Sequence, residues 1–253
     1  MSQYNFGSGT LIAKRTDASN TMPAFLGTLQ EVTINIDSSL KALVGQRRVA
    51  IGLGAGELKI TGTAKFARIQ MTQMTNLVLG GTTTTGTQQF MPIAGENGNV
   101  PGSSTYTITV AQAATFVEDL GVFYKNTGIQ LQPVTAGSEA TGKYSVSGSG
   151  IYTFAAGDAS AQVVIYYRYT ASTGYQNVFT NPMMGAAPTF QLNLENQWTD
   201  QSGNVKTLYL LLNACQSSKL TMPFKNQDWT INEFGFQAMA DASGGVLTWA
   251  TTE

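Results

Sequence analysis

The chain has 253 residues, of which 14 are Lys or Arg and 15 are Asp or Glu, so its formal net charge is −1. Its lack of His and its single Cys exclude Ser–His and Cys–His nucleophile pairs, an internal disulfide and a Cys-based zinc site. The charge balance provides no electrostatic means of capturing nucleic acid or an anionic membrane.

Charged residues are unusually few. They make up 11% of the chain, compared with about 25% in ordinary globular domains. Neutral polar residues must therefore cover much of the surface, and such a surface is poor at keeping free monomers apart. We expect a chain that functions packed against other chains.

The first 22 residues are polar, with Asn, Ser, Gly and Thr throughout, and we expect residues 1–22 to form an extended N-terminal arm. They show no basic start followed by an apolar stretch, so neither a signal peptide nor a membrane anchor is expected. An extended arm can add contacts or a strand to an exposed sheet edge. Its apolar side chains are therefore candidate contacts with a neighbouring subunit: Tyr4, Phe6, Leu11 and Ile12.

Apolar and polar residues begin to alternate at Val32, Ile34 and Ile36, and this period of two predicts a strand. Residues 46–65 are predicted to form a hairpin that turns in the glycine-rich segment 52–57, GLGAGE. That segment lacks the third glycine of a dinucleotide fingerprint and precedes a strand rather than a helix. It therefore does not indicate a nucleotide site.

The period then changes. Phe66, Ile69, Met74 and Leu77 recur at helical spacing, which predicts a helix over residues 66–79 with these side chains on its apolar face. The two glycines that follow end the helix, because glycine readily adopts the left-handed conformation found at helix C-termini.

Short alternating segments dominate the rest of the chain. About a dozen strands and one helix predict a mainly β fold, an antiparallel β-sandwich or barrel with one flanking α-helix. We expect residues 1–253 to form a single domain in which residues 96–171 are a possible inserted β segment.

No pattern in the chain indicates catalysis. Residues 137–143, GSEATGK, have the spacing of a phosphate loop, but a strand-like segment follows where a phosphate loop requires a helix N-terminus. Acidic residues are scarce, and none form a pair that points to hydrolysis. We predict no catalytic, cofactor-binding or metal-binding residues, no cofactor and no enzymatic activity.

Several stretches carry a family resemblance. Residues 60–69 are ITGTAKFARI, the region from Glu118 contains EDLGVFYKNTG, GKYSV and GIYTFAAGDA, and residues 232–244 are NEFGFQAMADASG. These strings resemble segments of the tail tube proteins, the major tail proteins, of contractile and long-tailed bacteriophages. The resemblance is scattered over about half of the chain, in the same order as in those proteins.

The resemblance implies a structural virion protein. In such proteins six copies form a ring whose inner strands join into one shared β-barrel, and the rings stack into the tail tube that conducts DNA during ejection. The expected partners are further copies of the chain and the sheath, baseplate and terminator proteins of the tail, while DNA passes without specific binding. The expected location is the tail of the virion, after assembly in the host cytoplasm.

A tube of this kind needs a wall whose strands bury one face and expose the other in the channel. The candidate strands alternate apolar with neutral or acidic residues, and the same faces could equally be solvated or contact the next subunit. The candidates for the lumen are Thr33, Asn35 and Asp37 on one strand and Gln191, Asn193 and Glu195 on another.

Two alternatives stay open. Tyr166, Tyr167, Tyr169 and Tyr175 form a cluster, which suits either a core or a carbohydrate-binding β-sandwich that stacks sugars on aromatic rings. A secretion-system tube ring shares the fold of a tail tube protein and is the nearer alternative.

Overall fold

The computed structural model divides the chain into two compact units, residues 1–82 with 177–253, and residues 83–176. The regular structure is mainly antiparallel β-sheet with one short helix, which confirms the expected fold class at this level. The expected inserted segment 96–171 lies within the second unit. The structure describes residues 7–17, 22–44, 46, 48–68, 70–75, 77, 80–181 and 183–252.

The strands vary from two to seventeen residues in length. In chain order they are β1 (Thr10–Arg15), β2 (Ala24–Phe25), β3 (Leu29–Val44), β4 (Ala50–Phe66), β5 (Thr82–Thr85), β6 (Gln88–Phe90), β7 (Glu96–Asn99), β8 (Thr107–Thr109), β9 (Phe116–Tyr124), β10 (Gln132–Pro133), β11 (Lys143–Val146), β12 (Ile151–Phe154), β13 (Gln162–Ala171), β14 (Tyr175–Val178), β15 (Thr189–Thr199), β16 (Val205–Thr221), β17 (Asn232–Met239) and β18 (Leu247–Thr251).

The first unit is built on an eight-stranded sheet in the order β2-β1-β15-β16-β17-β4-β3, with β18 paired to the first half of β16. Every pairing recorded in this sheet is antiparallel. One face carries the core, because alternate residues of each strand are apolar. The buried side chains of this core are Leu11, Ala13, Ala24, Leu26, Ile60, Ala64, Phe66, Met74, Leu77, Phe190, Leu192, Leu210, Leu212, Cys215, Phe234 and Phe236.

The helix begins later than the spacing predicts. Phe66, expected as its first residue, is the last residue of β4, where it pairs with Asn232 of β17 and Leu29 of β3. The alternation of buried residues along β4 continues as far as Phe66, so sheet pairing prevails over the helical spacing at this position. Helix α1 covers Met71–Met74.

The expected apolar face of the helix is present in part. Met74 and Leu77 are both 2% exposed and belong to the core of the first unit. Ile69 lies outside the described residues. The helix segment therefore packs against the sheet of its own chain, as expected, through its C-terminal half.

The predicted turn in the glycine-rich segment is wrong. Gly52 and Gly54 lie inside β4, opposite Leu43 and Lys41 of β3. Neither glycine has a positive φ, so both fit an extended strand. The β3–β4 hairpin turns instead between Val44 and Ala50, and its strands are 16 and 17 residues long.

The second unit contains two small sheets that share one core. One has the order β10-β11-β12-β8, and in the other β13 pairs with β6, β7 and β9. The β10–β11 pair is parallel. Both sheets contribute to the core, whose buried side chains are Val100, Val110, Val122, Leu131, Tyr144, Tyr152, Phe154, Val163, Ile165 and Tyr167.

Candidate functional site

The distal half of the β3–β4 hairpin extends beyond the rest of its sheet. The last recorded pair between β17 and β4 joins Gln237 to Thr61. Beyond this point, residues 36–44 of β3 pair with residues 50–60 of β4. A hairpin of two strands alone is marginally stable in water, so this segment needs a further partner to hold its shape.

The apolar side chains of this distal half are exposed. Leu53 is 68% exposed and Leu40 is 66% exposed, although both lie in the interior of long strands. A contiguous exposed apolar patch of this kind marks an interaction surface. The remaining exposed apolar side chains of the hairpin are Ile36, Leu43, Val44, Val49, Ile51 and Leu58.

One face of the hairpin continues the apolar face of the sheet. Ile36 of β3 pairs with Ile60 and lies on the core side of the sheet. Leu40 and Ala42 lie on the same side, because residues two apart along a strand share a face. Their cross-strand partners, Ala55 and Leu53, share that side, because directly opposed residues point the same way. The hydrophobic stripe that forms the core of the first unit therefore runs on, uncovered, along the hairpin.

The opposite face of the hairpin carries Gly52 and Gly54 across from Leu43 and Lys41. A Cβ on Gly52 or Gly54 would have its nearest neighbour 4.0 or 3.9 Å away, so nothing within the chain requires glycine there. Gly62 differs, since a Cβ at that position would come within 2.4 Å of the ring of Phe236. Gly56 of the hairpin also serves packing, since a Cβ there would come within 2.4 Å of the hydroxyl oxygen of Ser39. Packing among the described residues therefore accounts for Gly62 and Gly56 but not for Gly52 and Gly54.

The candidate lumen residues of β3 lie on the face of the sheet away from the core. Val32 and Ile34 pack against the core, so Thr33, Asn35 and Asp37 between and beyond them point to the opposite side. Their partners on β4 are Thr63, Thr61 and Lys59. The face is therefore polar, as the alternation predicts.

The candidate lumen residues of β15 lie on the same face. Leu192 and Leu194 pack into the core, and the polar residues alternate with them. Strands β16, β17 and β4 separate this group from the one on β3. The side chain of Asn193 accepts a 2.7 Å hydrogen bond from Tyr209 of β16. The structure thus places Gln191, Asn193 and Glu195 on the same side of the sheet as Thr33, Asn35 and Asp37.

Lysines also stand on this polar face, where only neutral or acidic residues were expected. Lys65 approaches Glu31 to 2.6 Å and Lys219 approaches Glu233 to 3.0 Å. The hydrogen bond from Lys65 holds the pKa of Glu31 below its usual range. These lysines are balanced by acidic partners across the strands, so the face carries mixed charge without an excess of positive charge.

Part of the expected arm belongs to the fold itself. Strand β1 pairs with β15 along Thr10–Arg15, and Leu11 is 2% exposed within the core. The expectation that Leu11 contacts a neighbouring subunit is therefore wrong, because the edge of β15 in its own chain takes up this segment. Ile12, on the other face of β1, is 37% exposed. Tyr4 and Phe6 lie outside the described residues.

The loop that joins β16 and β17 exposes two large aromatic rings. Phe224 is 88% exposed and Trp229 is 86% exposed. The Pro, Asn, Gln and Asp residues around Trp229 are typical of loops, and this signal could have placed its ring at the surface.

Carboxylates of the second unit hold the fold together rather than form a reactive pair. Asp158 accepts a 2.5 Å bond from Tyr124, and Glu96 accepts a 2.6 Å bond from Tyr167. Burial, followed by these hydrogen bonds, raises the pKa of each of the two phenols to about 12. A phenol of raised pKa stays protonated and is a poor nucleophile.

The second unit also carries an open groove of about 510 Å³. The rings of Phe123 and Tyr166 meet edge to face, with centroids 5.7 Å apart at 88°. Met91 and Leu120 extend the apolar lining, and Lys125 also lines the groove. A groove with this lining suits an apolar or aromatic surface of a ligand.

Among the described residues, no group of His, Cys, Asp and Glu side chains is placed to hold a metal ion. None of the described helices is long and apolar enough to cross a membrane. Cys215 is buried, and burial raises the pKa of its thiol to about 12, so the reactive thiolate is disfavoured.

Comparison with known proteins leaves the chain without an assigned family. No protein-family model matches it, and no curated protein is significantly similar to it in sequence. Its function is therefore inferred from its own fold and surfaces.

Proposed function

We propose that this chain is a structural protein that assembles with copies of itself, and that its assembly is the stacked hexameric ring of a bacteriophage tail tube. The observation that carries this proposal is the exposed hairpin formed by residues 36–44 and 50–60. Leu40 and Leu53 do not stabilise a monomer, because both are exposed to solvent on the two long strands. An assembly can bury them and gain stability from their burial.

The sheet of the first unit suits a ring because none of the described residues pairs with its outer edges. The recorded order ends in β2 on one side and β3 on the other. An exposed edge strand is a template for pairing with another chain, and closure of a sheet across subunits removes it. A barrel of about 16–18 strands already encloses an aqueous channel, so strands shared among six subunits can enclose DNA.

The polar face of the same sheet suits a channel that conducts DNA. Each Lys or Arg that contacts phosphate adds salt-dependent affinity, so a conduit should offer few unpaired positive charges. Lys65 and Lys219 on this face each have an acidic partner. The candidate residues of β3 and β15 are neutral or acidic. DNA would thus pass without being held, within a virion tail that also meets sheath, baseplate and terminator proteins.

The proposal is tested by changing the hairpin while leaving the core intact. Leu53→Asp replaces a side chain that is 68% exposed, so the single subunit should fold as the wild type does. We expect light scattering to show species larger than a hexamer for the wild type and a shift to hexamers or smaller species for the variant. Ile93→Asp, at a site 97% exposed in the second unit, is the matched control and should assemble normally.

Assembly of the Leu53→Asp variant to the same size as the wild type would contradict the proposal. A secretion-system tube ring would give the same result in this experiment, because it has the same fold and stacking. The two are separated by whether the assembled tubes conduct DNA.

A carbohydrate-binding module is a second candidate, favoured by the groove that Phe123 and Tyr166 line. Sugars stack on aromatic rings that line such grooves. A glycan array probed with the wild type and with Tyr166→Ala tests it, and binding that is lost in the variant would support this function. Equal signals for the two proteins would exclude the groove as a sugar site.

A further inference from the structure

The aromatic loop and the hairpin turn lie at opposite ends of one sheet. Residues 222–231 join β16 to β17, and β17 starts at Asn232, which pairs with Phe66 at the end of β4. The loop therefore leaves the sheet where β4 finishes. The turn of the β3–β4 hairpin lies at the other end of these strands, near Val44 and Ala50.

The hairpin reaches well past the sheet. Residues 50–60 of β4 lie beyond the last recorded pair with β17, and at about 3.3 Å per residue they cover roughly 35 Å. A second copy placed end to end with the first would meet this projection with its loop end. The hairpin is long enough to reach across that end.

The loop presents its rings on a closed turn. Lys225 and Asp228 form an ion pair at 3.6 Å, Gln227 adopts a φ of 58°, and the backbone N–H of Trp229 donates to Asp228. Phe224 and Trp229 stand on either side of this turn and remain almost fully exposed. Aromatic residues that protrude in this way are typical of the energetic centres of protein interfaces.

We propose that the apolar face of the hairpin of one copy docks on Phe224 and Trp229 of the next copy. This inference rests on the proposed function and names the receiving surface for the hairpin. The side chains of Leu40 and Leu53 pack against these two aromatic side chains. Arg48, exposed beside the hairpin turn, brings a guanidinium group that can pack on the indole face.

The size of the contact fits a stable interface. Two large aromatic rings bury roughly 300–500 Å², which is about half of the roughly 800 Å² that each partner contributes to a standard interface. The rest of that copy's share comes from residues around the two rings, and the apolar side chains of the hairpin provide the share of the other copy.

The two surfaces are different and lie at opposite ends, so the contact is head to tail. Each added copy leaves one hairpin and one loop free, and a contact of this kind repeats without closing. A contact between two hairpins would instead be symmetric and would stop at a pair. The arrangement of the two surfaces in one chain therefore favours an open stack over a closed dimer of rings.

Complementation between two variants tests this assignment. Leu53→Asp disables the hairpin, and the double variant Phe224→Ser, Trp229→Ser disables the loop. We expect each alone to stack at least about tenfold more weakly than the wild type, since hot-spot residues dominate affinity. Mixed together they should form a contact, because the intact hairpin of one meets the intact loop of the other. Trp249→Ser, which removes a 61% exposed ring on β18, is the control and should stack normally.

Cross-linking gives a second measurement that is independent of the stability of the loop variant. Cys215 is buried, so Ala42→Cys, on the apolar face of the hairpin, and Asn226→Cys, in the loop, each introduce one exposed thiol. We expect disulfides between the two variants when they are mixed under mild oxidation, and few when either is alone. Stacking of the loop variant at wild-type strength, or no cross-link on mixing, would overturn the assignment while leaving self-assembly intact. A wild type that does not assemble would instead overturn the proposed function.

Discussion

The hydroxyl group of Tyr144 donates a 2.5 Å hydrogen bond to one carboxylate oxygen of Asp119. The other oxygen accepts a 2.8 Å bond from Tyr152, whose ring stacks on that of Tyr144 with centroids 5.8 Å apart. Asp119 of β9 therefore links its own strand by hydrogen bonds to β11 and β12, which belong to the other sheet of the second unit. With no disulfide possible in a chain with one Cys, such bonds tie the two sheets of the second unit together.

Asp119→Asn should destabilise the second unit by about 1.5–3 kcal/mol, the usual contribution of hydrogen bonds to a charged group. Glu118→Gln, one residue earlier, removes an exposed ion pair with Arg168 and should cost at most about 1 kcal/mol. Urea denaturation of both variants checks the difference. Equal destabilisation by the two changes would show that Asp119 has no special structural role.

Alkaline pH should destabilise the same unit. Burial and the neighbouring carboxylates raise the pKa of Tyr124 and Tyr167 to about 12, compared with about 10 in an unfolded chain. A group with a raised folded pKa stabilises fully below the unfolded value, so stability should fall as the pH rises from about 10 to about 12. Burial raises the pKa of Tyr144 and Tyr152 as well.

Denaturation measured from about pH 8 to about pH 12 tests this expectation. Tyr124→Phe removes one of the titrating phenols and should flatten part of the decline. If the wild type and this variant lost stability in parallel over the whole range, the hydrogen bond to Asp158 would not account for the effect.

The core contact of the helix segment gives a further test. Leu77 is 2% exposed, so Leu77→Ala should lower the free energy of unfolding by about 2–5 kcal/mol. Met71→Ala, at a site 40% exposed on the same segment, should change it by no more than about 0.5 kcal/mol. A Leu77→Ala variant as stable as the wild type would contradict the packing of this segment on the sheet.

The electrostatics of the polar face can be tested in assembled tails. Asn35 is an exposed candidate lumen residue on β3, and Asn35→Lys would add one positive charge per subunit around each ring. Because each phosphate contact strengthens binding in a salt-dependent way, DNA release should slow, and more so at low salt. Asn35→Gln is the neutral control. Release at the same rate and with the same salt dependence for both variants would place Asn35 away from the channel.

The parts of the fold that follow from a period of two could be predicted from the sequence. Along β15, Leu192 and Leu194 alternate with polar residues, and the polar set was correctly expected on the opposite face. A local alternation determines which face of a strand is buried. It does not determine whether the exposed face lines a channel, contacts another subunit or faces solvent. The assignment of these polar residues to the lumen therefore stays a prediction.

Other parts could not be predicted because their causes are distant in the chain. Leu11 is buried because β1 pairs with β15, about 180 residues further along the chain. Phe66 joins a strand because of Asn232, which no local spacing reveals. Gly52 and Gly54 resembled a turn, since glycine favours turns, but no turn occurs there. On the proposed function, the partner that would explain these two glycines is another copy of the chain.

Electron microscopy of the purified wild-type chain in physiological salt tests the central claim most directly. The account predicts six-fold rings with an open centre, stacked into tubes, with the hairpin of residues 36–60 crossing from each ring to the next. A population of discrete monomers at tens of micromolar, or of closed dimers with the hairpins paired to each other, would contradict it.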